Sequence, residues 1–153
     1  MMKITIFFAS LAAVLLVSCS GSNTDISISL KTGKYSYVIS DSAGNPLVEG
    51  VIKLDSARNE LYRNNYKVNG SFTITRNTAD TSYHGLYSLN AGELAAYYND
   101  STKFININTN PKLADANVFI NAYIKGKEIN GGWSFSTFRG TKNEGGLFKA
   151  VRK

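Results

Sequence analysis

The stretch "NVFINAYIKGKEINGGWSFS", Asn117 to Ser136, decides the fold. Val118, Ile120, Ala122 and Ile124 alternate with Phe119, Asn121 and Tyr123. Past Gly126, Ile129, Gly131, Trp133 and Phe135 alternate with Asn130, Gly132 and Ser134. A period of two sends alternate side chains to opposite faces of a strand. A glycine between two lysines, Lys125 and Lys127, joins the two runs as a tight hairpin turn.

The same pattern extends outward in both directions. On the C-terminal side, "EGGLFKAVRK" closes the chain, with Phe148 and Ala150 inward. On the N-terminal side, "KFININTN" carries Ile105 and Ile107 on one face, and "YKVNGSFTITRN" sets Phe72 and Ile74 against Ser71, Thr73 and Thr75. "GKYSYVISDSAGNPLVEGVIKLD" reads as a hairpin: a strand near Lys34 to Ser40, a turn through Asp41 to Pro46, and a return near Leu47 to Asp55. "YHGLYSLNAGELAAYYND" reads as two strands folding back about Asn90, Ala91 and Gly92, so that His84 is a strand residue. "SARNELYRNN", Ser56 to Asn65, is the least regular segment and the expected place for one short helical turn. No segment after residue 31 holds a helical repeat of apolar positions for three turns.

Eight or nine short antiparallel strands in chain order make the expected fold all-β, a single up-and-down meander. Closing it into a barrel removes exposed edges, which invite aggregation, and pairs the last strand with the first. A two-sheet β-sandwich is the alternative. With about eight strands the interior holds side chains or one small ligand. Ile129-Asn130-Gly131-Gly132-Trp133 and the closing "GGLFKAVRK" resemble the late strands of small lipocalin-like and avidin-like barrels. That resemblance implies the architecture and nothing about a ligand.

The chain opens differently. Met1 to Val17 has a basic start at Lys3 and an apolar run broken by Thr5 and Ser10, too short for a membrane span of about 20 residues and patterned as an export signal, a signal helix that is removed. Leu16-Val17-Ser18-Cys19 resembles the lipobox of bacterial lipoproteins. The resemblance implies that Cys19 is acylated and becomes the first residue of the mature chain. With Ser20 next to it, similarity to enterobacterial sorting favours the outer membrane. The expected organisation is therefore a lipoprotein signal peptide over 1–18, acylated Cys19 with a flexible tether over 19–31, and a β-barrel domain over 32–153. Several acyl chains give stable anchoring where one is marginal. With one cysteine there is no disulfide, and the domain relies on its core.

Loss of residues 1–18 removes Lys3 and leaves 16 basic against 11 acidic side chains, a formal +5. The basic residues are scattered and read as solvated surface, which together with export argues against nucleic-acid binding. Metal and cofactor sites are not expected: the single histidine and single cysteine offer no zinc set, and no Gly-rich phosphate loop precedes a helix. Three functions compete. The first is a non-enzymatic binding module for a small apolar or amphiphilic ligand, with Trp133, Tyr87, Tyr97, Tyr123 and Phe135 as its candidate lining, because aromatic residues exceed what a polar-faced sheet needs. The second is a protein-interaction or inhibitor-type envelope lipoprotein, similar to periplasmic lysozyme inhibitors, although a positive balance opposes a basic target. The third is a hydrolase using His84, for which no nucleophile elbow is present.

Overall fold

The computed structural model describes residues 29–59, 64–137 and 144–153. Its strands are β1 (Gly33–Ser40), β2 (Pro46–Asn59), β3 (Asn65–Asn77), β4 (Gly92–Asn99), β5 (Phe104–Asn108), β6 (Asn117–Lys125), β7 (Glu128–Ser136) and β8 (Gly145–Arg152). A single helical turn, α1 (His84–Tyr87), stands between β3 and β4. Every strand pairs antiparallel with its chain neighbours, and β8 pairs with β1 from Tyr35↔Arg152 to Ser40↔Leu147. The fold is a closed up-and-down barrel of eight strands, not a sandwich. Among the described residues the eight strands pair only with one another, and the closed ladder runs from Gly33 to Arg152.

The hairpin that decides the fold forms as expected, with β6 and β7 paired from Asn117↔Ser136 to Lys125↔Glu128. Gly126 takes a φ of 62°, the left-handed conformation that a two-residue hairpin loop demands. Inward-facing Val118, Ile120, Ala122, Ile129, Trp133 and Phe135 are all buried. Bulges at Ile39/Ser40, Glu49/Gly50 and Leu54/Ser56 bend the first two hairpins round the barrel. Gly50 lies opposite Tyr37 in the β1–β2 ladder, and a Cβ on it would come within 1.9 Å of the Thr73 carbonyl oxygen and 2.8 Å of the Tyr37 ring. Here glycine makes room for a large aromatic ring inside a narrow barrel.

Two expectations fail. Ser56 to Asn59 are not helical: β2 runs through them, because Ala57, Arg58 and Asn59 find ladder partners in Val68, Lys67 and Tyr66. The Glu60 to Arg63 part of that expectation lies outside the described residues. The helical turn falls instead at His84–Tyr87, where a strand was expected. It drops Leu86, 0% exposed, into the barrel mouth, and the Asn77 side chain donates to the Leu86 carbonyl at 2.9 Å.

The opposite mouth is closed by the chain just before β1. Leu30 is 2% exposed, and the Tyr35 hydroxyl donates to the Lys31 carbonyl at 2.5 Å. The Ser29 amide and hydroxyl donate to Asp100 Oδ1 at 2.9 and 2.7 Å; the Tyr98 hydroxyl also donates to it at 2.9 Å and meets the Ser29 hydroxyl. Of residues 29–31, assigned to a flexible tether from sequence, Leu30 is packed into the barrel mouth, and exposed Ser29 and Lys31 are hydrogen-bonded to its rim. Cys19 and the rest of the expected signal and tether lie outside the described residues.

Candidate functional site

The interior is the first place to look for a ligand. It is filled. Tyr37, Ile39, Phe72, Leu94, Ile107 and Ile120 surround a cavity of about 10 Å³, the size of a single water at most. Small-molecule pockets run to several hundred cubic ångströms. Trp133 spends its polar group on the wall, donating from Nε1 to the Ser40 carbonyl at 2.8 Å, and is 3% exposed. Phe135 packs beneath α1, where a Cβ on Gly85 would lie 2.3 Å from its ring. Both are core.

The other three candidate aromatics point outward. Tyr87 on α1 is 58% exposed, and Tyr97 on β4 and Tyr123 on β6 are each 60% exposed. The five expected lining residues therefore occupy three separate places and share no pocket. His84 is exposed at the helix end, with its ring edge-on to Phe135 at 5.8 Å. The Ser88 hydroxyl donates to the His84 backbone carbonyl at 2.8 Å, so that local serine is turned toward the peptide group. Among the described residues, no three His, Cys, Asp or Glu side chains gather where a metal ion could be held.

What the fold does assemble is on the outside. The β4–β5–β6 register lays Tyr97, Asn106 and Asn121 side by side, and the Asn106 amide donates to the Asn121 side-chain oxygen at 2.8 Å. One step along the strands, Phe104 and Tyr123 are cross-strand neighbours with rings edge-on at 5.4 Å. A groove of about 540 Å³ runs over this wall, lined among others by Lys67, Asn69, Tyr97, Asn106, Asn108 and Phe119. Glu93 and Pro111 line it and also a second hollow of about 260 Å³, formed by the α1–β4 and β5–β6 connections at the helix end. The Lys112–Glu93 ion pair, 3.0 Å, sits where the two meet.

Asn106, Asn108 and Phe119 did not stand out in the sequence as site residues. The signal was there: the outward set of "NVFINAY" is Phe119, Asn121 and Tyr123, two aromatics in three positions on a face that should be polar. Flat rings and side-chain amides, which donate and accept at once, grip a surface by stacking and hydrogen bonding. Rings and side-chain amides line the groove, with the Lys112–Glu93 ion pair at its margin. No protein-family model, no curated protein and no solved structure matches this chain.

Proposed function

We propose that this protein is a non-enzymatic, lipid-anchored binding module of the bacterial cell envelope, held to the outer membrane through Cys19, that engages a protein partner with the outer wall of β4–β6. One observation carries the reading: the interior cavity bounded by Tyr37, Phe72 and Ile120 is about 10 Å³, whereas the outer wall offers a groove of about 540 Å³ beside two tyrosines that are 60% exposed. The composition of that wall supports it. Exposed tyrosine with asparagine, serine and glycine is the mixture that protein-binding surfaces use, because tyrosine gives large contact area at small entropic cost and asparagine adapts its hydrogen bonds. Asn130, Gly132 and Ser134 on β7 extend the mixture beyond Asn121 and Phe119. A small amphiphilic ligand inside the barrel loses support for the same reason that the wall gains it.

The test is site-specific photo-crosslinking in intact cells. A photoreactive residue at position 97 or 123 should yield one common adduct of defined mass. The same residue at Ser36, exposed on β1 on another part of the wall, should not. Tyr97→Ala with Tyr123→Ala should cut the yield from a probe at Asn121 at least about tenfold, as loss of two aromatic anchors does at an interface. Equal adducts from positions 36, 97 and 123, or none from any, would remove the proposal.

A further inference from the structure

The antiparallel meander sorts the charged residues by end. At the mouth closed by Ser29 and Leu30, two backbone bonds bring the strand ends together: Arg152 N to the Lys127 carbonyl at 2.9 Å and Lys153 N to the Lys34 carbonyl at 3.0 Å. Lys34, Lys127, Arg152 and Lys153 thus stand on one rim, all exposed, with exposed Lys31 and Lys125 on the segments beside them. The described acids near this rim are already engaged: Asp55 with Lys53 at 2.5 Å, Asp100 with Lys103 at 3.4 Å, Glu128 with Lys149 at 3.5 Å. Among the described residues the helix end has the opposite balance: Asp41, Asp80, Glu93, Asp115 and Glu144 lie there, while Lys112 is paired with Glu93 and Arg76 with Glu49.

The second observation is where the chain comes from. Ser29 is bonded to Asp100 at the basic mouth, and it stands ten positions after Cys19. Ten residues reach at most about 35 Å when fully extended. An acyl anchor at Cys19 therefore attaches the barrel at this rim, and not at the acidic one. Arg152 also holds the incoming segment, donating from Nη2 to the Thr32 carbonyl at 3.0 Å.

We propose that the Lys34–Lys127–Arg152–Lys153 rim is a docking surface for an anionic phospholipid bilayer, which seats the barrel upright with α1 and the acidic end pointing away. The inference rests on the lipid anchor of the proposed function for its orientation, but the attraction itself belongs to the rim. Negative surface potential acts within about a Debye length, roughly 8 Å at physiological salt, so only residues on the facing rim feel it. Upright seating leaves the β4–β6 wall standing clear of the membrane.

The test uses residues 19–153 with Cys19→Ser, which contain the complete barrel and no acyl chain, in co-sedimentation with vesicles. Vesicles of equal phosphatidylglycerol and phosphatidylcholine should bind the protein at low salt and release it as salt rises; pure phosphatidylcholine vesicles should not bind it. Lys127→Glu with Lys153→Glu should lower the partition coefficient at least about tenfold, as expected for basic residues at an anionic surface. Arg76→Glu with Lys112→Glu, the same change in charge away from the rim, should leave it within about twofold. Circular dichroism of each variant confirms the strand content. Equal binding to both vesicle types, no binding to either, or equal losses from the two double variants would overturn the proposal. The anchor is tested apart, by mass spectrometry of the mature chain: an unmodified Cys19 sulfur sinks the anchor and leaves the vesicle result standing, and the reverse also holds.

Discussion

At the scale of single residues, two groups carry most of what is unusual. The Tyr37 hydroxyl is buried, 3% exposed for the whole residue, and has no hydrogen-bond partner among the described residues. Burial alone holds its pKa far above the usual tyrosine value of 10.0. A buried hydroxyl without a partner has lost its water and gained nothing in return. Tyr37→Phe should therefore leave stability unchanged or raise it by up to about 1 kcal/mol, read as a higher urea midpoint at constant slope. The sign of the pH effect follows. Above about pH 10 an unfolded tyrosine loses its proton while folded Tyr37 keeps it, so the folded state binds more protons and stability falls as pH rises. Tyr37→Phe should flatten that alkaline decline, and an unchanged alkaline limb would contradict the assignment. Asp100 behaves in the opposite sense: the Ser29 hydroxyl above all, then the Ser29 amide and Tyr98, holds its carboxyl down to about 2. Its contribution is present above the ordinary carboxylate value near 3.8 and disappears as pH falls from there toward 2. Asp100→Asn should cost about 1–2 kcal/mol at pH 7, toward the low end of the roughly 1.5–3 kcal/mol of hydrogen bonds to charged groups because the carboxylate is partly exposed, and should remove part of the acid-induced loss in a pH series of denaturation midpoints.

At the scale of elements, α1 is a plug. Its four residues make too short a helix to stand alone, since forming a first turn costs more than it returns. It forms because Leu86 is buried in the barrel mouth, because Tyr87 N bonds the Tyr83 carbonyl at 2.8 Å, and because the Glu144 carboxylate accepts from Gly85 N at 2.9 Å. Gly85 has no room for a side chain above Phe135. Gly85→Val should lift the turn, expose Phe135 and Trp133, and lower stability by about 1–3 kcal/mol, the usual cost of overpacking, read as a lower denaturation midpoint, with a change in tryptophan emission as the second readout. The helical turn was not legible in the sequence. Tyr83 to Leu89 offers no repeat long enough to separate a turn from a strand. Ser56 to Asn59 misled in the other direction: their polar composition suits a turn, but the β3 ladder supplies partners that composition does not reveal.

At the scale of the whole molecule, closure decides both stability and where function can lie. Every strand is hydrogen-bonded on both sides, so no edge remains open among the eight. The price of that closure is space, because Tyr35, Tyr37, Tyr66, Tyr98, Phe72, Phe148 and Trp133 all turn inward and fill an interior that a lipid-binding barrel would keep open. What the barrel presents to solvent is a wall carrying Tyr97, Asn106, Asn121 and Tyr123 and a basic rim beside the incoming chain, the two surfaces on which the proposed functions rest.

The sequence by itself determined the strand order, the antiparallel pairing and the inward set, because alternation with a period of two specifies which face is buried regardless of what it meets. It did not determine whether the barrel is open or solid, nor which tyrosines line a common surface. Those are decided by closure: whether Tyr37 and Trp133 bound a cavity depends on side chains from across the barrel, and Tyr97 reaches Asn121 only through the registers of β4, β5 and β6. Charge followed the same division. Lys34, Lys127 and Lys153, far apart in the chain, share one rim because an up-and-down barrel returns every second connection to the same end.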